Sequence, residues 1–115
     1  MHELSIAMSI VDLVQDEAHS LGDVHVGAVH LKLGKLSGVV KDALLSSYEM
    51  ACFQTPLEGS QLKIEEIPVR VNCPHCHAVR PVASLQWMCC TDCGTPSADI
   101  AEGRELMVTA LEIIQ

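Results

Sequence analysis

The chain has 115 residues, nearly half of them hydrophobic, and carries 15 acidic side chains against 7 basic ones, a formal charge of -8. That is enough chain for one domain with a packed core, or for one domain with a small satellite. The basic residues are scattered, and an acidic chain without a lysine or arginine cluster is not expected to bind nucleic acid.

The first predicted element is an amphipathic helix that begins by Leu4 and continues for about five turns. Apolar side chains recur along it at three- and four-residue steps, and Gly22 supplies a natural stop. Residues 24–35 then alternate as a β-strand does, and the apolar phase changes near Gly27. That change predicts a β-bulge at this glycine.

A second helix is predicted over residues 39–52, with Ser37 as a candidate cap. Its inward side chains are expected to be Leu44, Leu45, Tyr48 and Cys52. Residues 62–71 predict a second strand that bends or divides at its two adjacent glutamates. Residues 105–114 predict a final strand.

These elements predict an α+β fold: a small mixed three-stranded sheet flanked by two helices, with an inserted zinc-ribbon-like module. The first two strands are expected to be parallel because a helix connects them, and the second and third to be antiparallel neighbours. The predicted domains are a main α/β domain of residues 1–72 plus 104–115 and an inserted domain of residues 73–103, which contains most of the cysteines.

The N-terminal region gives no sign of export. No stretch reaches the roughly 20 apolar residues that cross a membrane, and His2-Glu3 is the wrong flank for a signal peptide. A cytoplasmic protein without a membrane partner is therefore predicted. Six cysteines in that reducing compartment favour metal binding over disulfides.

The cysteine module holds two Cys-x-x-Cys pairs, Cys73 with Cys76 and Cys90 with Cys93. Two such turns can direct four thiolates at one ion, which is the pattern of a closed structural zinc site. Iron is the main chemical rival, because it accepts the same four thiolates. The side chains expected to pack this small module are Val79, Val82, Leu85 and Trp87.

Other interpretations of this module stay open. Cys89 can replace Cys90 through a Cys-x3-Cys spacing, although Cys90 reproduces the two-residue knuckle. The run CPHCH also fits covalent haem attachment or a thioredoxin-like redox pair. The haem interpretation leaves Cys90 and Cys93 unused, and the redox interpretation lacks a following helical pattern. His75 and His77 are either surface residues or groups that tune the zinc site with pH.

A second candidate metal site lies at the first three residues, MHE. The Met1 amine, the His2 peptide nitrogen and the His2 imidazole can chelate one ion, and Glu3 can add a fourth donor. Nitrogen-rich, near-planar donor sets suit Ni(II) or Cu(II), and loss of the amine proton on binding predicts affinity that rises with pH. The alternative is an ordinary exposed helix start, with Glu3 favoured by the helix dipole.

Five segments occur in order: MHE, GKLSGV, LKIEEIP, the paired knuckles and EGRELMVTALEI. Together they resemble the HypA/HybF family of nickel-insertion accessory proteins in hydrogenase maturation. The resemblance implies nickel binding by His2 with the Met1 amine and Glu3, and structural zinc at the four paired cysteines. It departs after SGV, where members often carry an acidic residue and this chain has Val40. Asp42 is the nearest carboxylate there, and whether it contributes to nickel binding is open.

The resemblance also implies a function. Family members carry Ni(II) towards the large-subunit precursor of [NiFe]-hydrogenase, working with a maturation GTPase, and some also serve urease. The chain is thus expected to be a nickel metallochaperone rather than an enzyme. The competing hypotheses are a zinc-ribbon interaction or regulatory module without transferable metal, and a redox or hydrolytic enzyme. A two-lobed chain can also exchange elements between copies, so a homodimer is left open.

Overall fold

A computed structural model describes residues 2–114. Its elements are α1 (Glu3–Ser20), β1 (His25–Gly34), α2 (Lys41–Cys52), β2 (Gln61–Ile67), β3 (Arg70–Cys73), β4 (Ala78–Pro81), β5 (Ile100–Glu102) and β6 (Leu106–Ile114). The strands form two three-stranded sheets, in the orders β2-β1-β6 and β4-β3-β5. The predicted α+β architecture, with two helices, a small sheet and a cysteine-containing module, is confirmed.

The chain forms two compact units. The first contains the residues up to Lys32, Gly38–Glu65 and the residues from Met107 onward, and the second contains Leu33–Ser37 and Glu66–Leu106. The longer segment of the second unit therefore starts several residues before the first cysteine pair. Compactness does not show which segments fold independently, so the predicted domains of residues 1–72 plus 104–115 and 73–103 stay a prediction.

The core of the first unit joins the apolar stripes of α1 and α2 to β1. Ala7 and Leu44 are fully buried, and each large apolar side chain buried in this way contributes about 1.5–3 kcal/mol. Among the three aromatic side chains, Tyr48 is in this core, whereas Phe53 and Trp87 are exposed. The core of this unit is therefore mainly aliphatic.

The first helix ends where predicted. Leu21 is its C-cap residue, and Gly22 follows with φ 95°, a left-handed conformation that glycine adopts without steric cost. Val26 and Val29 of β1 both lie in the core although they are an odd number of residues apart. This agrees with the change of apolar phase, while the bulge itself stays a prediction.

Three expectations about the connections need correction. The strands β2 and β6 are not neighbours, because β1 lies between them; β1 is buried along most of its length, which suits the central position. Ser37 is not the N-cap residue of α2, because Val40 occupies that position. The second predicted strand does divide, but the break follows Ile67 at Pro68, which has no N–H to donate to a strand ladder.

Two glycines allow distant segments of the second unit to approach each other. A Cβ atom added at Gly34 would overlap the carbonyl group of Gly103. The Gly34 N–H donates to the carbonyl of Glu105 at 2.7 Å, and the Leu36 N–H donates to that of Gly103 at 2.7 Å. Residues 34–36 and 103–105 are thus joined by backbone bonds.

A membrane-spanning helix is not found within residues 2–114, since neither helix combines the necessary length and apolar character.

Candidate metal centres

The two cysteine pairs lie in turns of the same backbone form. In the first, the His77 N–H donates to the Cys73 carbonyl at 2.9 Å; in the second, the Gly94 N–H donates to the Cys90 carbonyl at 2.8 Å. Both closing residues are left-handed, with φ 52° at His77 and 76° at Gly94. The two turns therefore share the same closing hydrogen bond and a left-handed closing residue.

These turns bring the sulfurs of Cys73, Cys76, Cys90 and Cys93 within 4.8 Å of one another. The Sγ atoms of Cys73 and Cys93 are 3.5 Å apart, and those of Cys76 and Cys90 are 3.9 Å apart. Tetrahedral zinc with bonds of about 2.3 Å needs sulfurs roughly 3.8 Å apart. The donor set and its spacing fit a closed four-thiolate site that can hold structural zinc, and iron would accept the same donors.

Burial differs among the four cysteines. Cys73 and Cys90 are each 2% exposed, whereas Cys93 is exposed and Cys76 is half-buried. The hydroxyl and the backbone N–H of Thr95 lower the pKa of Cys93 to about 6. A hydrogen bond with Cys93 and desolvation raise the pKa of Cys76 to about 12. Sulfurs this close cannot all ionise without a cation among them, so metal binding must release protons.

The remaining cysteines and the nearby histidines lie outside this group. Cys89, the alternative ligand, instead forms an isolated bridge with Pro96. Cys52 is buried in the core of the first unit, as its apolar helical position indicated. His75 and His77 are exposed, so their interpretation as surface residues fits, and a tuning role stays untested.

Packing of the second unit differs from expectation. Val79 and Val82 are half-buried, but Leu85 is 45% exposed and Trp87 is 68% exposed. The prediction that all four pack the module is wrong for Leu85 and Trp87. A small lobe closed by a metal centre needs little apolar core, because metal binding supplies folding free energy.

The N-terminal candidate site lies at the start of α1. His2 is the exposed N-cap residue, and its side chain makes no capping bond. Its carbonyl accepts the Ile6 N–H at 3.2 Å, which begins the helical ladder. Glu3 is the first helical residue. Met1 lies outside the described residues. The metal site predicted at Met1, His2 and Glu3 therefore stays a prediction.

The segment that departs from the family pattern lies at the start of α2. Val40 is its exposed N-cap residue, and Asp42 is an exposed acidic residue in its first turn. Among residues 2–114, the four cysteines form the one group of three or more converging ligand side chains. The contribution of Asp42 therefore stays open.

One polar pair beside the cysteines was not anticipated from sequence. Arg80 on β4 lies 3.0 Å from Asp92, measured from Nε to Oδ2. A signal was available, since Asp92 lies inside the second Cys-x-x-Cys turn and Arg80 follows Cys76 by four residues. Spacing alone did not show that the two side chains meet.

Comparison with known proteins agrees with this geometry. Residues 1–113 match the family model described as "Hydrogenase/urease nickel incorporation, metallochaperone, hypA". The chain is 44% identical to the hydrogenase maturation factor HypA of Roseiflexus sp. (strain RS-1), over 97% of this chain and 91% of that protein. It is 46% identical to the factor of the same name from Chloroflexus aurantiacus, over 97% and 98% of the two chains.

Solved structures share the fold. A structure titled "Solution structure of HypA protein" has a TM-score of 0.72 at 24% identity, covering 99% of this chain and 97% of that one. The solution structure of the Ni metallochaperone HypA from Helicobacter pylori has a TM-score of 0.68 at 24% identity, covering 99% and 98%. With the family model matching nearly the whole chain, this protein belongs to the HypA family of nickel metallochaperones for hydrogenase maturation.

Proposed function

We propose that this chain binds Ni(II) through the Met1 amine, His2 and Glu3, and delivers it to the large-subunit precursor of [NiFe]-hydrogenase. The observation that carries the proposal is the position of His2. Its imidazole is exposed and is not used as a helix cap, so it is free to bind a metal ion. Membership of the family supplies the identity of the metal and the process it serves.

The start of a helix suits the other donors. The first N–H groups of an α-helix have no carbonyl partner within the helix. The peptide nitrogens of His2 and Glu3 belong to that set, because the Ile6 N–H makes the first bond of the ladder, to His2. A metal ion can therefore replace their protons without breaking a helical hydrogen bond.

The helix dipole affects how well a metal ion binds at this site. The positive end of the helix dipole lies at the N-terminus and disfavours a bare cation there. Each peptide nitrogen that loses its proton brings one negative charge to the metal and offsets that effect. Binding should therefore tighten as pH rises towards and above the amine pKa, which is near 8 in model peptides.

The proposed partners follow from the same role. Delivery to a hydrogenase precursor in the cytoplasm, together with a maturation GTPase, requires the nickel site to remain accessible. The donors come from consecutive residues at an exposed chain segment, so a partner can replace them one at a time. Zinc at the four cysteines would be structural, and no catalytic step is assigned to this chain.

One observation favours a second candidate function. Leu85 and Trp87 are exposed apolar side chains in the second unit, and exposed aromatic residues are enriched in protein interfaces. A zinc-ribbon interaction module without transferable metal would use such a surface. That function predicts partner binding that does not depend on nickel.

Calorimetric titration of the zinc-loaded protein with nickel tests the first proposal. His2→Ala should lose the binding of one nickel ion per chain and retain zinc. His19→Ala is the matched control, because His19 is an exposed histidine at the other end of the same helix. Equal nickel affinity in His2→Ala and wild type would overturn the proposal and leave the interaction module as the better account.

A further inference from the structure

The four-cysteine centre has a charge that its surroundings must accommodate. Four thiolates around one divalent ion carry two net negative charges, and the chain as a whole is already at -8. Cations near metal-bound thiolates favour the ionised form of the sulfur. A positively charged side chain held beside the cluster would therefore help to retain the metal.

Arg80 occupies that position. It lies on β4, the strand that follows the first cysteine turn, and pairs with Val71 of β3. Its Nε atom is buried and lies 3.0 Å from Asp92 Oδ2. This contact is an ion pair rather than a directed hydrogen bond, since Nε has no hydrogen-bond partner within residues 2–114.

Asp92 ties this arginine to the other cysteine turn. It lies between Cys90 and Cys93, so the ion pair joins the strand after the first turn to the interior of the second. A backbone bond follows the same path, with the Thr91 N–H donating to the Pro81 carbonyl at 3.3 Å. The two turns are thus connected by side chains and backbone as well as by the sulfurs.

The cysteine cluster also influences the charge state of this arginine. The pKa of Arg80 is raised first by a hydrogen bond to Cys76 and next by the charge of Asp92. The same contact lowers the pKa of the Cys76 thiol against the larger opposing effect of Cys93. Arg80 therefore lies beside the second cysteine turn, where it contacts the carboxylate of Asp92.

We propose that Arg80 is a positioning residue of the four-cysteine metal centre: held beside the second cysteine turn by Asp92, its guanidinium offsets the thiolate charge of the cluster and slows the release of metal. This role is separate from nickel delivery. It depends on the cysteine cluster binding metal and not on the N-terminal site.

The test is the rate at which zinc moves from the loaded full-length protein to a chromogenic chelator. Arg80→Gln should speed release about tenfold, since residues that support metal ligands typically affect metal affinity by 10- to 100-fold. Arg70→Gln is the matched control, because Arg70 pairs with Glu102 at 3.8 Å in the same unit and is equally exposed, 40% against 37%. A rate for Arg80→Gln within twofold of this control would overturn the proposal.

Asp92→Asn separates positioning from charge alone. Removing a negative charge beside the anionic centre should slow release if net charge is all that matters. Release should become faster if Asp92 holds Arg80 in place, and slower release would overturn that part of the proposal. Because Asp92 is exposed and asparagine has the same shape, this variant keeps the test available if Arg80→Gln does not fold.

A second readout confirms that the ligands themselves are unchanged. Cobalt(II) substituted for zinc should give thiolate charge-transfer bands of equal intensity in wild type, Arg80→Gln and Asp92→Asn. Loss of intensity in either variant would show that a cysteine has left the metal, and would contradict a positioning role. Wild-type protein that takes up no zinc would overturn this inference, while nickel binding at His2 would still be measurable.

Discussion

The two candidate metal sites of this chain are built in opposite ways. The four cysteines come from two turns that are distant in sequence, and their sulfurs lie within 4.8 Å of one another. The donors proposed at the N-terminus are consecutive residues, and His2 among them is the exposed N-cap of α1. In the first site the fold brings the ligands together, whereas in the proposed second site the local chain would do so.

This difference predicts different exchange behaviour. A metal ion bound by both turns can leave only if the turns separate, so its loss is coupled to opening of the second unit. A local chelate can lose its donors one at a time while the helix behind it stays folded. A retained ion and a transferable ion can therefore share one small chain.

The largest expected effect comes from removing one fold-assembled ligand. Cys90→Ser should abolish zinc retention, because structural zinc binding contributes on the order of 10 kcal/mol to folding of such modules. The first unit has its own core and should remain folded. Zinc content together with amide dispersion in NMR spectra measures both effects.

The adjacent cysteine provides the control for this experiment. Cys89→Ser should keep zinc and leave the spectrum of the second unit intact, because Cys89 lies outside the group of four sulfurs. Zinc loss in Cys89→Ser with zinc retained in Cys90→Ser would reverse the ligand assignment.

A smaller effect tests whether metal binding alone stabilises the second unit, or whether backbone packing also contributes. Gly34→Ala places a methyl group against the backbone of Gly103, which cannot move aside cheaply. We expect a loss of about 1–3 kcal/mol in the free energy of unfolding of the zinc-loaded protein, the usual cost of overpacking. Urea unfolding of wild type and variant provides the measurement.

Gly27→Ala is the comparison for Gly34→Ala. Its methyl group would meet the side chain of Ile114, at 2.7 Å from Cγ1, which can change rotamer. The cost should therefore be smaller than at Gly34. Equal stability of Gly34→Ala and wild type would mean that backbone contact contributes nothing beyond the metal.

The smallest predicted effect concerns an asymmetry between the two cysteine turns. The same left-handed closing position holds His77 in one turn and Gly94 in the other. A residue with a Cβ atom loses about 1–2 kcal/mol in that conformation, and part of this is returned by the greater freedom of glycine in the unfolded chain. His77→Gly should therefore raise the thermal midpoint slightly, and a lower midpoint would show that the His77 side chain stabilises the turn.

Features encoded locally were the ones that sequence predicted well. The three- and four-residue spacing of apolar side chains placed α1, and the Cys-x-x-Cys spacing identified the four sulfurs that meet. Both depend on residues near one another in the chain. Gly22 at the end of α1 is a further case, because its left-handed conformation is a local requirement.

Features that depend on distant partners were missed. The central position of β1 depends on which strands share its two edges, and each strand's own pattern says little about that. The contact of Arg80 with Asp92 likewise requires the two cysteine turns to be folded together. Trp87 was expected to help pack the small module and is exposed, because metal binding reduces the need for such packing.

The most direct measurement compares nickel and zinc content of one protein with and without a removable extension before Met1. The extension acylates the amine, so after dialysis against a competing chelator the extended protein should keep one zinc ion and lose nickel. Removing the extension should restore nickel binding without changing zinc. Nickel retained in the extended protein, or zinc lost together with nickel, would contradict two separate sites with different exchange behaviour.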